Sequence, residues 1–314
     1  MKTSNRPTLR RLAAAIALAC AGSGAIALAQ PAAVPFAVLN TVELPAQQVD
    51  GRSLLELSGL AWDADEQLLY AVSDRGSVFH LRLQLDGDKL AAVQPVFGAA
   101  LRDPSGALRK FNAEGLAVLN ANNGIKGDTQ LVVALENGPA LLRVTPQGEV
   151  LAPIELPEVL RDKDRYYSKN KRLEAVAALD GQRFVTAPEA PLAGEDPMRH
   201  TLYATDGARW SFQAIEAGSD LKGIDTLADG SLLVLERLEG GGKRARQVVL
   251  RRIDPASCAA GKVCSGGGSD DVAPVDGNFE GLARLSERTF VLVSDSGAER
   301  SGATTFALIR LGTP

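Results

Sequence analysis

The stretch Asn278-Phe279-Glu280-Gly281-Leu282, followed by Leu292-Val293-Ser294-Asp295, decides how the chain is read. A carboxylate, a glycine and an aliphatic residue open a short apolar run; a turn follows, and a second apolar run ends in a carboxylate. The same figure recurs upstream as Ser58-Gly59-Leu60 to Ala71-Val72-Ser73-Asp74 and Glu114-Gly115-Leu116 to Val133-Ala134-Leu135-Glu136. It returns as Glu174-Ala175-Val176 to Thr186-Ala187-Pro188-Glu189 and Lys222-Gly223-Ile224 to Val234-Leu235-Glu236. The openings at 59, 115, 175, 223 and 281 lie 56, 60, 48 and 58 residues apart, and their closing carboxylates follow after 15, 21, 14, 13 and 14 residues. Self-similarity at a near-constant period marks a repeat architecture.

Each unit holds more strands than these two. Asp86-Gly87, Asp180-Gly181, Asp206-Gly207 and Asp229-Gly230 supply hairpin chemistry between short β-rich runs such as Ser77–Leu83, Ala140–Val144, Thr201–Ala204 and Gln247–Ile253. Long amphipathic helix patterns are absent from the sequence after residue 30. The expectation is an all-β chain, a β-propeller of four-stranded blades. Five units are visible, and a sixth would have to be a degenerate one within 193–220 or 240–276. The fifth unit runs out of chain after three strands, so Phe36–Leu44 is expected to close the ring and remove its open edges. A β-sandwich would leave the repeated carboxylates without a reason.

Composition narrows the function. The 314 residues carry 34 Lys+Arg against 38 Asp+Glu, a net charge of −4, and 45% hydrophobic residues. That is a folded chain with a self-sufficient core, and its acidity argues against binding nucleic acid. With His80 and His200 as the only histidines, catalytic triads and imidazole-rich zinc sites are disfavoured.

Residues 1–29 read as a cleavable signal peptide. Lys2, Arg6, Arg10 and Arg11 precede an apolar stretch, Leu12–Ala29, that ends in Ala27-Leu28-Ala29. A lipoprotein anchored through Cys20 is the weaker alternative. Removing the leader leaves 30 basic against 38 acidic side chains and a single domain over 30–314, expected to be periplasmic or secreted and to act as a monomer. No second apolar stretch suggests a transmembrane segment. Cys258 and Cys264 then remain, and an oxidising compartment favours a disulfide between them.

In a blade, the start of the first strand and the end of the second lie at one mouth of the channel. Glu114, Glu174, Glu280, Asp74, Glu136, Glu189, Glu236 and Asp295 are therefore expected to converge, with Ser58 and Lys222 in the remaining places. Close carboxylates repel, and a divalent cation, a bound Lys or Arg, or raised pKa values would relieve them. Two uses stay open: binding main-chain N–H groups of the next blade, or ligating a cation. Asn112, Asn170 and Asn278 precede Glu114, Glu174 and Glu280, and oxygen donors of this kind suit Ca²⁺, with Mg²⁺ second. Arg75 and Arg237 directly follow rim acids and are candidates for holding an anion. The basic run Arg161–Arg172 reads as a solvated connector or a cationic lip, and Lys243, Arg244 and Arg246 as part of a turn.

These segments resemble a known family, the exported bacterial phytase-like proteins called "esterase-like activity of phytase". The resemblance covers roughly 50–311 and rests on Leu57 through Gly76, Asn112 through Leu116, Asn170 through Val176, Gly223 through Arg237 and Asn278 through Leu282. It implies an exported propeller hydrolysing phosphate esters or similar small anionic esters with a divalent cation. In that reading Glu114, Glu174, Glu280, Asn112 and Asn278 are metal ligands. Asp74, Glu136, Glu236 and Asp295 are catalytic candidates, and Arg75 and Arg237 bind substrate. Two rivals stand beside it: a lactonase resembling gluconolactonase-type propellers, and a non-catalytic envelope binding or scaffolding propeller.

Overall fold

The computed structural model describes Met1 and residues 36–105, 111–238, 240, 246–258, 263–264, 275–294 and 302–312. The expected leader with Cys20, as well as Lys243, Arg244 and Asp295, lies outside them. Five four-stranded antiparallel sheets follow one another around a ring. Blade 1 comprises Leu57–Asp63, Leu68–Ser73, Ser77–Asp86 and Lys89–Ala100. Blade 2 comprises Ala113–Leu119, Gln130–Leu135, Ala140–Val144 and Val150–Ile154. Blade 3 comprises Leu173–Ala178, Phe184–Pro188, Arg199–Ala204 and Arg209–Gln213. Blade 4 comprises Asp220–Thr226, Leu232–Leu238, Gln247–Ile253 and Val275–Asp276.

Blade 5 takes Phe279–Arg284, Thr289–Ser294 and Thr304–Leu311 from the end of the chain and its outer strand, Phe36–Leu44, from the beginning. The closing pair runs from Phe36 opposite Leu311 to Leu44 opposite Thr304. The Asn40 side chain fastens that strand to blade 1, donating to the Leu90 carbonyl at 2.8 Å and accepting from its N–H at 2.9 Å. The ring has five blades; the two segments that could have hidden a sixth supply outer strands of blades 3 and 4.

Sequence explains the local geometry. The two-residue turn between Asp86 and Lys89 places Gly87 at φ 56°, a conformation that costs glycine nothing. The second strands of the blades are near-continuous apolar runs, so both faces of each sheet are buried there, and the core forms five wedges between neighbouring blades. Phe79 and Leu81 of blade 1 meet Phe306 and Val293 of blade 5, and Leu235 and Leu250 of blade 4 meet Phe290 and Ile309 on the other side. Cys258 and Cys264 are joined by a disulfide, and the Cys264 N–H donates to Ser211 O, which clips this loop to the outer strand of blade 3.

The recurring glycine has a packing cause. A Cβ on Gly59 would lie 2.7 Å from Glu114 O in blade 2, and one on Gly115 would lie 2.7 Å from Glu174 O in blade 3. On Gly281 it would lie 2.7 Å from Ser58 O in blade 1. Inner strands of successive blades thus touch backbone to backbone at this level. Gly223 is looser, its nearest neighbour Leu282 Cβ at 3.2 Å.

Candidate functional site

At the same level every inner strand carries a one-residue register shift: between Leu57 and Gly59, Ala113 and Gly115, Leu173 and Ala175, Leu221 and Gly223, and Phe279 and Gly281. A bulge frees one residue from pairing and re-aims its side chain. The freed residues are Ser58, Glu114, Glu174, Lys222 and Glu280, all buried around one channel mouth. Ser58, Glu114, Lys222 and Glu280 line a narrow axial recess there. The second strands deliver Asp74, Glu136, Glu189 and Arg237 to the same end.

Two cations organise the side formed by blades 3 to 5. Lys222 Nζ donates to Glu174 Oε1 at 2.5 Å and lies 2.8 Å from Glu189 Oε1 and 3.4 Å from Glu280 Oε1. Burial alone would lower its pKa, but Glu174, Glu280 and Glu189 outweigh that and hold the ammonium well above its ordinary range. The Arg237 guanidinium pairs with Glu280, reaches Asp220 Oδ2 at 3.0 Å and Glu189 Oε1 at 3.3 Å, and donates to Asn278 Oδ1 at 3.1 Å. Lys171, the end of the basic connector, donates to Asp220 Oδ1 at 2.5 Å. Arg246, read from sequence as part of a turn, donates to Asn278 Oδ1 at 3.1 Å.

The side formed by blades 1 and 2 is acidic. Glu114 is 8% exposed, and its carboxyl is pushed up to about 8, first by burial and then by Asp74, Glu280 and Glu136, with Lys222 opposing. Burial raises Glu136 as well, against the Asn112 Nδ2 hydrogen bond at 2.7 Å and the Arg172 main-chain N–H. Glu174 also lies well above the carboxylate range, chiefly through burial. Burial would raise Glu189 too, yet Lys222, Lys171 and Arg237 together hold it below.

One expected rim acid is elsewhere. In blade 4 the register pairs Leu221 with Glu236, so Glu236 corresponds to Ser73, Leu135 and Pro188 of the other blades; the counterpart of Asp74, Glu136 and Glu189 is Arg237. A one-residue offset turns a strand side chain to the opposite face. Glu236 accordingly sits in the seam between blades 3 and 4. It accepts from Ser219 Oγ at 2.5 Å, from the Ile215 N–H at 2.8 Å and from Arg251 at 2.9 Å, with His200 Nε2 at 3.5 Å. Burial opposes its ionisation, but His200, Arg251 and Ser219 lower its pKa overall. The same count moves Asn170 off the mouth: Arg172 occupies the place of Asn112 and Asn278, and Asn170 is exposed. Arg75, half-exposed, is tied to Glu56 at 2.5 and 2.9 Å.

Four of the five oxygen donors expected to hold calcium have other partners. Glu174 and Glu280 face Lys222, Asn278 faces Arg237 and Arg246, and Asn112 donates to Glu136. Among the described residues no three His, Cys, Asp or Glu side chains are grouped as a metal requires. The positive charge between Glu174 and Glu280 is the Lys222 ammonium. From sequence, Lys222 stands among the rim positions and Lys171 within the basic run read as a connector or cationic lip; Asp220 is missed.

No curated protein matches the chain. The fold resembles that of a PQQ-bound aldose sugar dehydrogenase from Streptomyces coelicolor, with 13% identity and a TM-score of 0.47 over 90% of this chain and 100% of that one. It also resembles a member of the DUF4221 family from Bacteroides vulgatus, with 8% identity and a TM-score of 0.48 over 90% and 99%. For a streptogramin B lyase the values are 10% and 0.39 over 88% and 98%. A family model, phytase-like, "esterase-like activity of phytase", matches residues 53–297, well over half of the sequence, and the chain belongs to that family.

Proposed function

We propose that the charged mouth hydrolyses small esters bearing an anionic group, phosphate esters included, in an exported protein. The observation that carries this reading is a pair of carboxyls pushed in opposite directions at one mouth: Glu114 up to about 8 and Glu189 below its ordinary value. Groups driven apart in this way supply a proton donor and fixed charge at neutral pH. Glu114 is the proton donor to the leaving oxygen, and Asp74 or Glu136 is the base that activates water. With Glu114 protonated at neutral pH, the negative load of the mouth falls. Lys171 and Arg246, the more exposed cations, then receive the anionic group. Lys222 and Arg237 supply the positive charge that calcium was expected to bring.

The test is a panel of phosphomonoesters, carboxylic esters and lactones, assayed from pH 5 to 9 with and without EDTA or added CaCl₂. Hydrolysis that survives EDTA, declines above about pH 8 and is lost in Glu114→Gln supports the proposal. Loss in EDTA with recovery in calcium returns the metal-assisted reading, and lactone turnover alone returns the lactonase. The non-catalytic reading draws on Glu136, which accepts the Arg172 main-chain N–H of the next blade as a purely structural acid would. It holds if no ester is turned over.

A further inference from the structure

Past the charged ring the channel changes character. Counting two residues on from each bulge gives Leu60, Leu116, Val176, Ile224 and Leu282, all buried. The first four border both the charged recess and a second cavity at the opposite mouth, so this apolar collar separates the two. That second cavity has a volume of about 540 Å³, within the range of small-molecule sites.

The cavity is written in the repeat. The position after the collar is Ala61, Ala117, Ala177, Asp225 and Ala283, and the first three line the cavity, so blades 1 to 3 each contribute a methyl group where larger side chains would close the space. The next position brings Trp62, Val118, Ala178, Thr226 and Arg284. Apart from Asn122, blades 1 to 3 wall the cavity with apolar groups, and blades 4 and 5 add a polar corner of Asp225, Thr226, Arg284, Ser286 and Glu287.

Within that corner the carboxylate is satisfied and the guanidinium is not. Asp225 accepts the Thr226 N–H on Oδ1 and the Arg284 N–H on Oδ2, both at 2.7 Å. Burial pushes its pKa up to about 6 against those bonds and the Arg284 charge. The Arg284 side chain, in the same alternate series as Leu282, makes no hydrogen bond or ion pair with a described residue. Glu287 lies at the exposed rim. A guanidinium facing apolar walls gains most from a bound anion, because a charge-assisted pair strengthens as water is excluded.

We infer that this opposite mouth is a binding site for a small organic carboxylate with an apolar body, its head group on Arg284 and its body between Trp62, Val118 and Ala178. The site is independent of the proposed hydrolysis. The test uses 4-phenylbutanoate with its amine and alcohol counterparts as matched probes, read by thermal shift and titration calorimetry on the mature chain. The carboxylate is expected to raise Tm by about 5 °C near saturation, and the amine and alcohol to leave it unchanged. Arg284→Gln should weaken binding about tenfold or more. Ala178→Trp, which fills the cavity, should abolish it, with Val118→Trp as a second filling variant. Glu114→Gln should leave it intact, which separates this site from the charged mouth. Absence of binding by the carboxylate, equal binding of the amine or alcohol, or binding that survives both filling variants overturns the inference. If neither filling variant folds, the carboxylate–amine contrast and Arg284→Gln decide it.

Discussion

Replacing Glu114 by Gln should make the protein more stable at alkaline pH while changing little in acid. The Glu114 carboxyl goes from an ordinary value of 4.5 to about 8 in the folded chain, through burial and the neighbouring Asp74, Glu280 and Glu136, against Lys222. Because the folded value is the higher one, the native state holds this proton more tightly than the unfolded chain does. The resulting stabilisation is fully present below pH 4.5 and is lost as pH rises through 8. Each pH unit of displacement corresponds to about 1.4 kcal/mol, so the loss approaches about 5 kcal/mol. Gln keeps the shape and carries no titrating proton. Urea denaturation of both proteins at pH 5, 7 and 9 should show nearly equal sensitivity at pH 5. A gap in favour of the variant should widen to several kcal/mol at pH 9, with m unchanged. A stability difference that stays flat with pH, to within about 1 kcal/mol, would refute the claim that Glu114 is held protonated.

Two further outcomes follow from the register and packing. Glu236→Gln should cost about 3–5 kcal/mol in urea denaturation, because Arg251 then loses its buried counter-charge. Any ester hydrolysis by the folded variant should continue at the wild-type rate; a collapse of turnover in a folded variant would put Glu236 back at the reacting centre. Gly281→Ala should destabilise by about 1–3 kcal/mol, since the new methyl meets Ser58 O at 2.7 Å and Val293 Cγ1 at 2.6 Å. Gly223→Ala should cost clearly less, and equal losses in thermal melts would count against the close approach of the inner strands.

The propeller was legible because its repeat encodes two physical requirements at adjacent positions: a bulge that turns a polar residue into the mouth, and a glycine that lets neighbouring backbones touch. The closing strand Phe36–Leu44 was legible from the missing fourth strand of the last unit. The place of Glu236 was harder, although the spacing held the clue. It follows its opening by 13 residues where units three and five require 14, and the residue at 14 is Arg237. The ion pairing was not legible at all. Lys222 looks like an interruption of an acidic motif until three dimensions bring Glu174, Glu189 and Glu280 onto its ammonium from the two adjoining blades. The alanine that follows the collar in four units could have been seen, but a methyl group signals empty space only when the ring around it is known.

A sheet built from both ends of the polypeptide also orders events in time. The strand at 36–44 is made before the other strands of the ring and waits for 304–311, so the circle stays open until that strand has been made. Until then the edges of the first and last blades have no partner, and the chain gains its full stability only on completion.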